Sequence, residues 1–188
     1  MNFNKFSGIS KNFQSKNNAF TLVEVLISIS ILIVGILSGF ILVTRALYNV
    51  AVIKDRLTAS FLAQEGIELT RQIRDSNFLL IINGEPIDWN KGLENGSYII
   101  KSNVEGDQPI QLVFYDPSGV PNLRYNNDDN ELKTYNYTNG EQTNFNREIR
   151  ITNITDDEIR VESIMRWTTK SIDFNLTVED HLYNWMKL

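Results

Sequence analysis

Glu24 is the side chain whose surroundings most clearly require a chemical explanation. It follows Phe20 by four residues, and the twenty residues after it, Val25 to Thr44, carry no charge and are mostly Ile, Leu and Val. A carboxylate costs about 2.5–3.5 kcal/mol at the centre of a membrane and less near its surface. Either Glu24 lies at the level of the headgroups and reaches water, or it needs a cationic partner.

A second candidate site is the oxygen-rich segment 126–131. Asn126, Asp128 and Asn130 offer side-chain oxygens at alternate positions, as calcium loops do. The segment departs from the EF-hand pattern, which needs Gly where Glu131 stands and Glu where Tyr137 stands. A solvated turn is therefore the favoured interpretation, with a calcium loop as the alternative.

Few other side chains could carry catalysis. The chain has no Cys and a single His, His181, which excludes thiol chemistry, disulfides and multi-histidine metal sites. The sequence contains no glycine-rich phosphate loop, nucleophile elbow or Ser/His/Asp set. We therefore predict neither enzymatic activity nor a cofactor.

The N-terminal part of the chain has the pattern of a membrane anchor. Residues 1–19 contain three Lys and no acid, and twenty apolar residues in a helix span about 30 Å, the thickness of the hydrocarbon core. The positive-inside rule keeps residues 1–19 in the cytoplasm and exports the rest, with one crossing of the inner membrane. A buried helix of a soluble domain and a conventional cleaved signal peptide both fit the length of the run less well.

Composition limits the exported part to one globular domain. The 188 residues carry 18 Lys and Arg against 23 Asp and Glu, and 11% of them are aromatic, which excludes wholesale disorder. Residues 78–188 have a net charge of −8, with 10 basic and 18 acidic side chains. We therefore expect no nucleic acid as a partner of this region.

Beyond the anchor, apolar residues recur at helical spacing over residues 45–77. The pattern predicts one helix of about 55 residues, with an apolar stripe lying against a globular head; the alternative is a break near Arg45 or Gly66. Within the anchor, Gly35 and Gly39 lie on one helix face and either allow close helix packing or have no special role. The predicted stripe comprises Leu47, Val50, Leu57, Phe61, Leu62, Gly66, Leu69 and Ile73.

Residues 78–188, called the head, have the pattern of an antiparallel sheet. Apolar and polar residues alternate strictly over 159–168 and 172–178, which is typical of strands with one buried face. The other predicted strands are 97–104, 110–115 and 147–154, with a hairpin turn at 155–158. Residues 180–188 are predicted to form a short helical turn that docks Trp185. The predicted fold class is α+β.

The leader, the sequence Phe20-Thr21-Leu22-Val23-Glu24 and the apolar run together resemble the class III signal of type IV prepilins and pseudopilins. The resemblance covers about residues 14–44. It implies a pilin-like fold, a long N-terminal helix packed on a mainly antiparallel β-sheet. It also implies that a prepilin peptidase cuts between Ala19 and Phe20 and methylates the new amine of Phe20. Ala19 stands where the family usually has Gly.

That cut supplies the partner that Glu24 needs. It creates a cationic amine at Phe20, and Glu24 of the same or a neighbouring subunit can neutralise it. A buried pair of this kind sets register, because a mispaired charge in an apolar core is strongly unfavourable. The resemblance implies assembly with other pilin subunits through the inner-membrane platform into a filament at the cell surface. It divides the chain into a leader (1–19), an anchor and filament-core helix (20–44), an amphipathic helix (45–77) and the head (78–188).

A second resemblance concerns the region around the end of the helix. The segments 63–68 and 74–78, with Trp89 and the glycines that follow it, are similar to minor pilins of the pilus modification type. The prediction is therefore a minor pilin-like subunit. The alternatives are a pseudopilin of a secretion or DNA-uptake machine, and an uncleaved, signal-anchored surface protein with a ligand-binding head.

Overall fold

The computed structural model describes residues 20–101, 110–128 and 133–186. One helix, α1 (Leu22–Ile82), is followed by seven strands. The chain divides into an N-terminal unit ending at Leu47 and a C-terminal unit, Tyr48–Leu188. The strands are β1 (Gly96–Lys101), β2 (Gln111–Phe114), β3 (Asn122–Tyr125), β4 (Tyr135–Asn136), β5 (Glu141–Thr155), β6 (Glu158–Thr169) and β7 (Ile172–Tyr183).

The α+β pilin-like architecture predicted from the sequence is confirmed. In the C-terminal unit α1 packs on one antiparallel sheet, and α1 has no break at Arg45 or Gly66. Strand β5 is the centre of the sheet: it pairs with β1 and β3 along one side and with β6 along the other, and β6 pairs with β7. The predicted hairpin turn lies between Thr155 and Glu158.

The helix meets the sheet through small residues. Ala59, Ala63, Gly66 and Thr70 are buried at three- and four-residue steps along α1. A Cβ atom on Gly66 would lie 2.7 Å from Ser163 Oγ and 2.8 Å from Ile149 Cδ1. Only a residue without a side chain allows the backbone of α1 to come this close to β5 and β6.

Two clusters of buried side chains fill the space between α1 and the sheet. One lies around Ile67, Phe78 and Trp89, and the other around Leu62, Phe145 and Trp167. The inward residues of β5 and β6 alternate with outward ones, so the period-two pattern of the sequence does describe the buried face.

The predicted apolar stripe of α1 is wrong in its first half. Leu62 and Gly66 are buried as expected, but Val50, Leu57 and Phe61 lie exposed on a different face. Helical spacing alone does not distinguish the two faces, because apolar residues at steps of three and four drift around a long helix.

The end of the chain also differs from the prediction. Residues 180–183 are the last part of β7 and not a helical turn, because their alternation continues that of the strand. Trp185 contacts the Phe78 ring with centroids 4.7 Å apart while remaining largely exposed. Strands β3 and β4 and residues 141–146 of β5 were not predicted.

The helix continues to Ile82, beyond the predicted end at residue 77. Gly84 then adopts a positive φ of 87°, and its N–H donates to Ile81 O (2.9 Å). Glu85 N–H donates to Leu80 O (3.0 Å), and Pro86 follows. A left-handed glycine followed by proline is the usual way to end a helix, and it was the available signal for this boundary.

Candidate assembly site

The start of α1 is built by Thr21 and Glu24. The N–H of Glu24 donates to the Thr21 hydroxyl oxygen (3.2 Å), so Thr21 is the N-cap and Glu24 is the third residue of the helix. This Thr-x-x-Glu spacing is that of a capping box, a sequence signal for the start of a helix. Glu24 therefore also lies where a negative charge stabilises the helix N-terminus.

Phe20 lies directly before this cap, with its side chain 75% exposed. Ala19, the other residue of the predicted cleavage site, lies outside the described residues. Of the described residues before Leu22, Phe20 and Thr21 are not helical.

The hydroxyl groups of the apolar run are hydrogen-bonded within the helix, which suits a water-free environment. Its four hydroxyl residues all donate to backbone carbonyls within the helix, at 2.7–2.9 Å to the residue four positions earlier. An unpaired hydroxyl in lipid would cost free energy, and none of these is unpaired. They are Ser28, Ser30, Ser38 and Thr44.

Every described side chain from Phe20 to Leu47 is exposed. The helix is long and apolar enough to cross a membrane, and none of its most apolar stretch is buried. At Gly35 and Gly39 an added Cβ would have no atom within 4 Å. This face is therefore open to lipid or to another helix, and the two glycines are not needed for packing within the chain.

A second exposed apolar surface lies on α1 within the C-terminal unit. We call it the α1 stripe: Val50, Ile53, Leu57 and Phe61, each between 55% and 65% exposed. These residues follow one another at steps of three and four and so share a helix face. Polar residues replace apolar ones on that face from Gln64 to Asp75. The stripe therefore has a defined end at Phe61.

Three polar contacts fix which face of α1 the sheet covers. Thr169 Oγ1 donates to Asp55 Oδ2 (2.7 Å), Arg71 Nε donates to Asp180 Oδ2 (3.0 Å), and Arg147 Nη1 donates to Glu65 Oε2 (2.7 Å). The Arg147 side chain is only 2% exposed, and its Nη1 also donates to Leu62 O (2.9 Å). These contacts, spaced along about four and a half turns of α1, orient the α1 stripe toward solvent.

Residues 74–78 and Trp89, two parts of the second resemblance, meet over one end of the core. Asn77 Nδ2 donates to Trp89 O (3.0 Å) and to Lys91 O (2.9 Å), which ties the loop after α1 to the helix. Trp89 Nε1 in turn donates to Asp156 O (3.1 Å) in the β5–β6 turn. These residues close the core around Phe78 and do not form a catalytic arrangement.

A buried carboxylate stands out on the sheet face away from α1. Glu148 is fully buried and accepts hydrogen bonds from Ser97 Oγ (2.9 Å), Arg150 Nη2 (2.9 Å) and Arg166 Nη2 (2.7 Å). Burial raises the pKa of Glu148, but the hydrogen bonds from Arg166, Ser97 and Arg150 outweigh it and hold the pKa below its usual value. Glu148 is thus an ionised anchor for two arginines.

The candidate calcium loop is only partly described. Asp128 N–H donates to Asn126 Oδ1 (3.0 Å), a local turn contact, and Asn130 lies outside the described residues. Among the residues that the structure describes, no three His, Asp or Glu side chains are grouped so as to hold a metal ion.

Comparison with known proteins gives a family match for the N-terminal segment. Residues 14–40 match the family described as "Prokaryotic N-terminal methylation motif". No curated protein and no solved structure shows significant similarity to this chain. The matched family is one of structural subunits rather than enzymes, and its motif implies processing by prepilin peptidase, a membrane-embedded N-terminal helix and assembly with other pilins. The chain therefore carries a type IV prepilin-like class III signal on a pilin-like α+β architecture.

Proposed function

We propose that this protein is a minor pilin-like subunit of a type IV pilus or related filament. It is stored in the inner membrane by residues 20–44 with the head outside, cut between Ala19 and Phe20, methylated at Phe20 and then assembled through its helix. The observation that carries the proposal is the methylation motif at residues 14–40. It overlaps the first part of α1, where every described side chain from Phe20 to Leu47 is exposed.

The α1 stripe supports assembly over a plain membrane anchor. A bilayer covers about twenty helical residues, and the stripe lies six to seventeen residues beyond Thr44. Lipid therefore does not reach it, while the apolar helices of neighbouring subunits would. An anchored monomer has no use for four large apolar side chains on one exposed face.

A minor pilin within the family is favoured by the second resemblance, which lies in the segments 63–68 and 74–78 and around Trp89. Asn77, in the second of these segments, donates to Trp89 O (3.0 Å) and to Lys91 O (2.9 Å) and so ties the loop after α1 to the helix. A pseudopilin of a secretion or uptake machine would share the same signal and the same helix.

The first experiment is mass spectrometry of the intact protein and its N-terminal peptide from native membranes. The proposal expects a chain that begins at Phe20 and is heavier by one methyl group. A chain that keeps Ala19 in cells with active prepilin peptidase would contradict the proposal, and would leave an uncleaved, signal-anchored surface protein.

Glu24 provides the second test, provided that charge is separated from helix capping. Glu24→Gln keeps a side chain suited to the third helical position but removes the charge, whereas Thr21→Ala removes the cap and keeps the charge. If Glu24 pairs with the amine of Phe20, Glu24→Gln reduces incorporation into filaments at least tenfold, and Thr21→Ala reduces it much less. Equal losses would show that Glu24 serves only the start of the helix.

A further inference from the structure

The sheet has two edges of very different length. On one side the outermost strands are β2, with four residues, and β4, with two. On the other side β7 has twelve residues and, within the described part of the chain, pairs only with β6. Native proteins usually protect an exposed edge with short strands, Lys, Pro or a β-bulge. The short strands protect the first edge, but the length of β7 leaves the second one open.

Strand β7 contains almost none of the features that protect an edge. It has no Pro and no Lys, and its register with β6 is continuous from Ile172 to Tyr183, without a bulge. Its one inward-pointing charge is Asp180, which lies opposite the buried Val161 and pairs with Arg71 Nη2 on α1 (2.9 Å). An inward-pointing charge blocks pairing only near its own position, so residues 172–179 are the open part of the edge.

The open part of the edge presents backbone groups that can accept another strand. In an antiparallel pair, alternate residues direct both N–H and C=O away from the neighbouring strand. About half of residues 172–179 therefore point these groups to the free side of β7. The backbone of a further extended segment matches such a row of donors and acceptors. The edge is thus suited to a polypeptide rather than to a lipid or a glycan.

The side chains on the α1 side of β7 determine where an added strand needs apolar residues. Phe174, Leu176 and Val178 alternate along this side and are only partly buried against the core. Side chains of adjacent strands that lie on the same face pack against one another. An added strand with apolar residues at every second position would complete the burial of these three.

The opposite face of β7 is anionic. Asp173 and Glu179 are exposed on this face. Asp173 Oδ1 accepts a hydrogen bond from Thr168 Oγ1 (2.7 Å), and Glu179 Oε1 lies 3.3 Å from His181 Nε2. In the described part of the chain neither carboxylate is paired with Lys or Arg, and β7 itself contains neither residue type. Opposite charges on adjacent strands stabilise the pair, so Lys or Arg suits this face of an added strand.

A second copy of this chain fits the edge poorly. Helix α1 and β7 run in the same direction, because Asp55 contacts Thr169 beside the start of β7 and Arg71 contacts Asp180 near its end. A symmetric antiparallel pair of β7 strands would set the two α1 helices in opposite directions, which the proposed storage in one membrane does not allow. A symmetric parallel pair would place the apolar row of one copy beside the polar row of the other.

We propose that residues 172–179 bind an extended segment of another protein, which adds a strand to the sheet and alternates apolar with basic side chains. The backbone of β7 supplies the affinity, and Phe174, Leu176 and Val178 select the apolar positions. The site lies in the head, apart from the α1 stripe, and goes beyond the proposed assembly through α1.

The test is a titration of the full-length chain in dodecyl maltoside, followed by the fluorescence anisotropy of labelled octapeptides. The first peptide alternates Lys with Val, the second alternates Glu with Val, and the third has the composition of the first in an order without alternation. Two further versions of the first peptide carry N-methyl groups either on every Val or on every Lys. Micelles without protein give the background.

Two variants of the chain place the same charge on opposite faces of β7. Leu176→Glu introduces it on the α1 side, and Thr177→Glu introduces it on the exposed face. We expect saturable binding of the Lys–Val peptide, weakened at least tenfold by Leu176→Glu and not weakened by Thr177→Glu. One N-methylated peptide should lose binding and the other keep it, because only alternate N–H groups of an added strand point to β7.

Circular dichroism and melting temperature establish that each variant is folded. If Leu176→Glu is not folded, the two N-methylated peptides decide, because they need only the natural chain. No binding of the Lys–Val peptide would overturn the proposal, as would equal behaviour of the two N-methylated peptides or equal binding of the Glu–Val or non-alternating peptide. Dimers of the chain in sedimentation that Leu176→Glu abolishes would overturn it in favour of a second copy.

Discussion

The two units of the chain treat the same helix in opposite ways. From Phe20 to Leu47 every described side chain is exposed, and the only polar groups of the apolar run are satisfied within the helix. From Tyr48 onward one face of α1 is buried on the sheet through small residues and ion pairs. The comparison teaches that small residues let α1 come close to the sheet, whereas the large apolar side chains of Val50, Leu57 and Phe61 stay exposed on another face.

The largest loss of stability should come from enlarging a small residue on the buried face of α1. Gly66→Leu places a side chain where a Cβ already meets Ser163 Oγ at 2.7 Å, so the helix must move away from β5 and β6. We expect the free energy of unfolding to fall by about 3 kcal/mol or more, beyond the gain in helix propensity.

The matched control is Gly39→Leu, where an added Cβ meets nothing within 4 Å. Chemical denaturation of both variants in the same detergent gives the comparison. A Gly66→Leu protein as stable as wild type would show that α1 does not pack closely on the sheet.

Removing the buried Arg147 should cost less than this. Arg147→Met removes the side-chain hydrogen bonds to Leu62 O and to the Glu65 carboxylate, and because Glu65 is 39% exposed and can be hydrated, we expect a loss of about 2 kcal/mol. Arg71→Met, whose pair with Asp180 is more exposed, should cost about 0.5 kcal/mol. Urea denaturation of both variants measures the difference, and equal costs would contradict the role assigned to Arg147.

The strands, the ends of α1 and its buried face differ in how far the sequence predicts them. The alternation over 159–168 predicts β6 almost to the residue. The Thr-x-x-Glu spacing at residues 21–24 and Gly84 with the nearby Pro86 are sequence signals for the start and the end of α1. Nothing in the local pattern separates Ala59, Ala63 and Gly66 from an ordinary helix surface, because their burial depends on a sheet that forms from residues eighty positions later. Arg147 follows the alternation of β5 onto the buried face, where a cation is expected only if a partner such as Glu65 is already known to be there.

The alignment of asparagines from β3, β5 and β7 on one face of the sheet was unpredictable for a related reason. Asn122, Asn146 and Asn175 are spread over more than fifty residues, and β3 is too short to be recognised by its alternation. Their alignment depends on the register of three strand pairs, which the sequence does not contain in any one segment.

The exposed face of α1 should respond in assembly and not in stability. Leu57→Glu introduces a charge into the α1 stripe. In a filament it would also lose the burial of one Leu side chain between subunits, which is worth about 1.5–3 kcal/mol. We therefore expect incorporation into filaments to fall roughly ten- to a hundredfold. Gln64→Glu places the same charge seven residues later, beyond the end of the stripe, and serves as control. The melting temperature should be unchanged in both variants. If both also assemble like wild type, the α1 stripe is not an interface.

The smallest expected effect is electrostatic and lies far from α1, at the free edge of the sheet. His181 on β7 lies with Nδ1 2.6 Å from Glu158 Oε1 and Nε2 3.3 Å from Glu179 Oε1, and these hydrogen bonds raise the pKa of His181. Protonated His181 is therefore favoured in the folded state. Its stabilisation is fully present below the unfolded pKa of about 6.5 and is lost as pH rises through the higher folded pKa.

His181→Gln removes this titration but keeps a side chain able to hydrogen-bond. The difference in melting temperature between wild type and His181→Gln should be greatest near pH 5 and should shrink as pH rises toward 8. Arg160, opposite His181 on β6, is present in both proteins. The pair is exposed, so the effect should be small and should weaken further in high salt. A difference that grows with pH would mean that His181 is held neutral in the fold, contrary to its position between two carboxylates.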